Sequence, residues 1–305
     1  MRTVFLGTPA AAVPTLATLH SSTDVVAVFT QPDRPRGRSG TPQASEVKLA
    51  ARELGLDVIQ PARSAEIASH LTRLGPIDVA VIVAFGLLIR PDALAVPEAG
   101  FVNVHFSLLP RWRGAAPVQR AMLAGDGRSG VTLMQLDEGL DTGPTLATLS
   151  TEIGSDETGG ILTRRLSVLG AELVRRHLAA IVAGVITPVP QPVGGVTLAP
   201  KLDGSDRRFI AGTDAETLRR SIMAMAPAPG LTADRGGRPV KLLEAGEVRD
   251  GTNFPPGALE VHDGRLWCSA VDGQVEIRLI QSAGRRPVTG IEWARGQALP
   301  LGRLG

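Results

Sequence analysis

Residues 77–85 read "IDVAVIVAF", with no polar residue after Asp78. A strand covered on both faces needs such a continuous apolar run, and parallel sheets flanked by helices bury their central strands this way. The neighbouring segments agree. Before the run, "RTVFL" (2–6) leads into the helix-like "AAAVPTLATLH" (10–20), and "DVVAVFTQ" (24–31) leads through a loop into "ASEVKLAARELG" (44–55). "LDVI" (56–59) is followed by "SAEIASHLTRL" (64–74). After it, "FVNVH" (101–105) precedes "PVQRAMLAG" (117–125). "GVTLMQL" (130–136) and "TLATLSTEI" (145–153) read as two further strands, and residues 158–184 as a long amphipathic helix. Strands alternating with helices of these lengths predict an α/β domain with a parallel sheet between two helical layers.

The pattern changes at "VITPVPQPVGGVTLAPKLDGSD" (185–206), where four prolines and a Gly pair are linker chemistry. One helix, "DAETLRRSIMAM" (214–225), then precedes short alternating runs at 238–248, 257–264, 265–273 and 274–281. Asp-Gly pairs at 263–264 and 272–273 are hairpin signals. The expected organisation is an α/β domain over 1–187, a linker over 188–205, and a small β-barrel domain over 206–305.

Composition narrows the function. The chain has 305 residues, 43% hydrophobic and 20% charged, which is globular. No run is long enough for a membrane helix. "MRTVFLGTPAAAVPTL" at the start is broken by Gly7, Pro9 and Pro14, and reads as a first strand turning into a helix rather than a signal peptide. One cysteine, Cys268, permits no intramolecular disulfide, so a reducing cytoplasm is expected. Net charge is +2, and residues 206–305 hold 14 basic against 12 acidic groups, too small an excess to announce nucleic-acid binding. The first strand lacks the G-x-G-x-x-G of dinucleotide binders, and there is no phosphate-binding Walker loop. Five scattered histidines lack ligand spacing, so no metal site is expected.

Chemistry concentrates in two stretches. "NVHFSLLPRWRGAAP" (103–117) delivers Asn103 and His105 to one face of a strand end, because side chains two apart in a strand point the same way. Ligands of open α/β sheets bind beyond such ends. An amide can donate to a developing oxyanion, and an imidazole can orient a reacting group or move a proton near neutral pH. "LDEGLDTGPT" (136–145) interleaves Asp137, Glu138 and Asp141 with glycines. A carboxylate brought near His105 would complete an acid–base set, whereas three acids in a solvated loop would do nothing. Order along the chain leaves both readings open.

These two stretches resemble the folate-dependent formyltransferases. "VFLGTP" (4–9), "FTQPDRPRGR" (29–38), "VAFGLLI" (83–89), "APKL" (199–202) and "PAPG" (227–230) extend the likeness over nearly the whole chain. The resemblance implies a Rossmann-like catalytic domain followed by an OB-like β-barrel that binds tRNA, and transfer of the formyl group of 10-formyltetrahydrofolate to the amino group of methionine on initiator methionyl-tRNA. It carries catalytic roles onto Asn103 (formyl oxygen), His105 (orientation of the tetrahedral intermediate) and Asp141 (proton from the amine). It places the folate against Ser107, Leu108, Leu109 and Pro110, and against the strand end at Phe85, Gly86 and Leu87. It makes the loop with Arg34, Arg36 and Arg38 the tRNA-contacting arm, Arg38 above all, and implies a monomer. Arginine suits such a loop, since it contacts phosphates and stacks on bases.

Three features depart from the family pattern. Phe106 stands where many relatives carry Gly, the arm lacks lysines after its arginines, and the last domain is poor in aromatics, with only Trp267 and Trp293 as tryptophans. Four rival readings remain at this level: a formyltransferase acting on a nucleotide-linked amino sugar, a glycinamide ribonucleotide formyltransferase, a non-catalytic RNA-binding protein, and a formyltetrahydrofolate hydrolase-dehydrogenase, which should be far longer. The second should lack the last hundred residues, and the third has no need of Asn103, His105 and Asp141 together.

Overall fold

The computed structural model describes residues 1–35 and 40–305. Contacts divide the chain into two units. The first holds 1–117, 128–151 and 163–199, and the second 118–127, 152–162 and 200–305.

Among the described residues the first unit is built on a seven-stranded sheet. Its strands are β1 (Arg2–Gly7), β2 (Asp24–Phe29), β5 (Val58–Ile59), β6 (Val79–Val83), β7 (Phe101–His105), β8 (Arg128–Gln135) and β9 (Thr145–Glu152), in the order β5-β2-β1-β6-β7-β8-β9. A two-residue pair, β3 (Arg34–Pro35) with β4 (Pro42–Gln43), stands apart. β5 through β7 run parallel, and β8 returns antiparallel to β7. The "IDVAVIVAF" run contributes β6, buried at every position, with β1 on one side and β7 on the other. Helices α1 (Val13–Ser22), α2 (Glu46–Glu53), α3 (Ile67–Arg73), α4 (Pro91–Leu94) and most of α6 (Gly159–Val182) accompany these strands, whereas α5 (Pro117–Leu123) falls almost wholly within the second unit. One core cluster includes Leu6, Phe29, Ile67, Leu71, Ile82, Phe85 and Phe101.

Phe106 is accommodated away from the strand end. It is 8% exposed, and a Cβ on Gly170 of α6 would come within 3.5 Å of its ring and 2.7 Å of Val104. The glycine is what lets helix and strand approach there. Strand alternation therefore sends Phe106 into the packed layer.

The second unit holds α7 (Ala215–Met225), α8 (Gly290–Arg295) and antiparallel strands β10 (Leu231–Arg235), β11 (Arg238–Asp250), β12 (Leu259–His262), β13 (Arg265–Ser269), β14 (Gly273–Ser282) and β15 (Val288–Thr289). The expected antiparallel second domain is present. The edges of the path are β10 and β12, and the last residues tie both. Asp234 and Gly305 exchange backbone hydrogen bonds at 2.7 and 2.9 Å, and Leu259 N–H donates to Gly302 at 3.0 Å. Unpaired strand edges are thereby occupied. The two Asp-Gly pairs behave differently. Asp263 and Gly264 both take positive φ, as a two-residue hairpin turn requires. At 272–273 the Asp272 carboxylate instead accepts the Ala215 N–H at the start of α7, at 2.8 Å.

Candidate active site

β6 and β7 end at the same edge of the sheet, with Ile82 opposite Asn103. Ala84 turns the chain out of β6 with φ +46, and Gly86 follows at φ +85. The Phe85 ring stays in the core, 1% exposed, and its carbonyl accepts from Thr8 Oγ1 at 2.9 Å and Gln31 Nε2 at 3.0 Å. What this segment offers to solvent is therefore Ala84, Gly86 and Leu88, with Leu87 half-buried.

Asn103 and His105 leave β7 on one face, as alternation demands, and the 136–143 loop brings a single acid to them. Asn103 Nδ2 donates to Asp141 Oδ1 at 3.3 Å, and His105 Nδ1 lies 3.7 Å from Asp141 Oδ2, with side-chain exposures of 6% and 14%. Asp141 has φ +50, a left-handed conformation that Asp tolerates better than most residues. Its Oδ2 also accepts the Gly114 N–H at 2.8 Å. The other two acids lie elsewhere. Asp137 accepts from Gly139 N–H (3.1 Å) and Thr142 Oγ1 (2.8 and 2.9 Å), bracing its own loop, and Glu138 is exposed.

The segment after His105 serves the site mostly through its backbone. His105 Nε2 meets the Trp112 carbonyl at 2.9 Å, and Trp112 reaches this pose with φ +64. Ser107 is 1% exposed; its hydroxyl donates to the Arg111 carbonyl at 2.6 Å, and its own carbonyl accepts from Thr132 Oγ1 at 2.8 Å. Leu109 N–H donates to the same Thr132 oxygen at 3.3 Å. Leu108, Leu109 and Pro110 are half-buried beside it. Gly114, at φ +125, could carry no side chain, since a Cβ would fall 2.6 Å from the Ala199 carbonyl.

At the foot of the arm, Arg34 is exposed and pairs with Gln43; Arg36 and Arg38 lie outside the described residues. A network centred on the buried Lys48 holds this foot. Lys48 Nζ donates to both Asp33 oxygens (2.9 and 2.7 Å) and to Gln60 Oε1 (2.7 Å). Gln60 Nε2 donates to the Gln31 carbonyl (2.8 Å) and to Asp33 (2.9 Å). The Lys48 hydrogen bond, then that of Gln60, holds the Asp33 carboxyl below its ordinary range.

Sequence reasoning missed the positions that frame the His105–Asp141 pair: the Trp112 carbonyl on His105, and on Asp141 the Gly114 N–H and Gln191, which sits within the supposed linker. Lys48, one of three lysines in the chain, was the only readable signal for the network under the arm. In the second unit Trp267 and Trp293 are 1% and 5% exposed and lie under the Arg249 and Arg235 guanidiniums at 4.0 and 5.0 Å. Neither ring is presented for stacking on a base.

Among the described residues, no helix is long and apolar enough to cross a membrane, and no group of three His, Cys, Asp or Glu side chains could hold a metal ion. A carboxamide, an imidazole and a carboxylate at one strand edge are suited to acyl transfer, with an oxyanion donor beside an acid–base pair.

Comparison with known proteins covers both halves of the chain. Residues 1–178 match the family model described as formyl transferase, and residues 201–298 that of the formyl transferase C-terminal domain. A methionyl-tRNA formyltransferase of Halorhodospira halophila is 47% identical over 99% of this chain and 98% of its own. An N-formyltransferase of Helicobacter canadensis, solved with folinic acid and dTDP-3-aminofucose, superposes with a TM-score of 0.69 at 17% identity, covering 92% of this chain and 98% of that one. A HypX variant of Aquifex aeolicus has a TM-score of 0.66 at 19% identity over 98% of this chain, which spans about half of HypX (48%). At these identities the two structures speak for the fold alone.

Proposed function

The chain belongs to the formyl transferase family, matched in both halves, and from that premise we propose which residues carry its reaction. The protein transfers the formyl group of 10-formyltetrahydrofolate to the free amino group of methionine on initiator methionyl-tRNA, making N-formylmethionyl-tRNA for translation initiation.

The observation that carries the assignment is the convergence of Asn103 and His105 on Asp141. When the amine nitrogen attacks the formyl carbon, the formyl oxygen gains negative charge. Asn103 has two N–H groups on its amide; one faces Asp141, and the other donates to that oxyanion. His105 is held by Trp112 through Nε2, so Nδ1 is the nitrogen turned toward the reacting groups. Asp141, fixed by the Gly114 N–H, takes the proton shed by the attacking amine. A proton returns to N10 of the folate as its bond to the formyl carbon breaks. The folate lies along the edge made by Phe85, Gly86 and Leu87 and by Ser107, Leu108, Leu109 and Pro110. Support for this is the exposed backbone at Ala84 and Gly86. The buried Phe85 ring and Ser107 hydroxyl serve by shaping that backbone.

Contact with tRNA falls to the arm bearing Arg34, Arg36 and Arg38 and to the domain over 206–305, where arginines rather than aromatic rings make the grip. Such contacts to phosphate are salt-sensitive. We take the working unit to be a monomer in the cytoplasm, with catalysis in 1–187 and the linker at 188–205.

The test is Asp141→Asn, which keeps the shape and removes the base. Turnover should fall by at least about 100-fold with KM for both substrates little changed. Turnover near that of the parent enzyme would overturn the assignment.

A further inference from the structure

We propose that Gln191 is a positioning residue of the active site, a clamp that sets the backbone of Asp141; the proposal rests on the reading of Asp141 as proton acceptor. Gln191 lies in the Pro-rich stretch between Pro190 and Pro192 that the sequence marks as linker. Its side chain nevertheless makes four hydrogen bonds within the first unit. Nε2 donates to the carbonyls of Asp141 and Gly143, each at 2.8 Å. Oε1 accepts from Arg113 Nε at 3.0 Å and from a terminal guanidinium nitrogen of Arg113 at 2.7 Å. Carbonyls only accept and a guanidinium only donates, so the orientation of this amide is fixed by its partners.

The two sides joined by Gln191 are the two loops that make the site. One carries Asp141 at φ +50, a conformation that persists only when its surroundings hold it. The other runs from His105 through Trp112 and Arg113 to Gly114, whose N–H meets the Asp141 carboxylate. The same stretch grips this second loop further on. Arg113 N–H donates to Thr197 at 2.9 Å, Ala199 N–H donates to Arg113 at 2.7 Å, and Trp112 N–H donates to Thr197 Oγ1 at 2.8 Å. Residues 191–199 thus strap both loops, and Gln191 is the point where one side chain touches both. Positioning of a reacting group to within about an ångström can be worth on the order of 100-fold in rate.

Gln191→Glu tests this directly. The shape and the Arg113 partner are kept, while a carboxylate oxygen replaces the donor that faces two carbonyls. The expected result is a fall in kcat of about 10- to 100-fold, with KM for 10-formyltetrahydrofolate and for the charged tRNA within about twofold and with parental binding of uncharged tRNA. Gln191→Ala, which removes the repulsion but also the clamp, should lie between the two. Asp141→Asn is measured alongside. If Asp141→Asn is inactive and Gln191→Glu retains parental kcat, the clamp is refuted and the role of Asp141 stands. If Gln191→Glu lowers kcat, Tm and both affinities in proportion, the residue is structural and the proposal fails. If Asp141→Asn is active, the underlying reading falls and the clamp with it.

Discussion

The Nε2–H of His105 donates to the backbone carbonyl of Trp112 across 2.9 Å. A carbonyl oxygen has no proton to give, so this contact fixes the tautomer: Nε2 carries hydrogen and Nδ1 faces Asp141 at 3.7 Å. Nitrogen-15 NMR should find a proton on Nε2 of His105. His105→Ala should lower turnover by about 100-fold or more while leaving tRNA affinity largely intact. Collapse of tRNA affinity instead would move His105 from chemistry to structure.

The Asp33–Lys48 pair under the arm gives a pH-dependent prediction. Hydrogen bonds from Lys48 and Gln60 depress the Asp33 carboxyl below its usual 3.8. A group whose folded pKa is depressed contributes stability above its unfolded value and loses it as pH falls through the folded one. The difference in Tm between the parent and Lys48→Met should therefore be largest near neutral pH and shrink in acid. A difference that stays constant down to strong acid would show that the pair adds nothing through charge.

Much of this was legible before any coordinates. Nine apolar-rich residues announced β6, and the two-residue period of β7 put Asn103 and His105 side by side, since both signals are local. The partner acid was not readable to the same degree. Three carboxylates share one loop; the resemblance pointed to Asp141, and the left-handed turn there, with the Gly114 N–H opposite, is the physical reason that acid reaches His105. Gln191 was invisible for a related reason. A glutamine between prolines carries no periodicity, and its function arises from a fold that brings residues fifty apart into one hydrogen-bonded set. Phe106 looked out of place only until its ring was seen packed beside Gly170, whose missing side chain makes room for the neighbouring Val104.

Cys268 lies in β13, fully buried, and burial pushes its thiol up to about 12. Thiolate is the reactive form. Iodoacetamide at mildly alkaline pH should leave the native protein unlabelled and alkylate it once urea unfolds it. Rapid labelling of the native chain would contradict this burial.

Removal of residues 301–305 should expose both edges of the second sheet. Amide exchange should then rise first at Asp234 and Leu259, which donate to Gly305 and Gly302. Unchanged protection at those two amides would mean that the tail does not hold the edges.

The acceptor of the formyl group separates the tRNA-directed reaction from its amino-sugar rival. The purified protein is given 10-formyltetrahydrofolate together with either methionyl initiator tRNA or a nucleotide-linked amino sugar, and formylated product is measured by mass. Formyl gained by the methionine of the tRNA, and not by the sugar, is the predicted result; formylation of the sugar with none on the tRNA would contradict it.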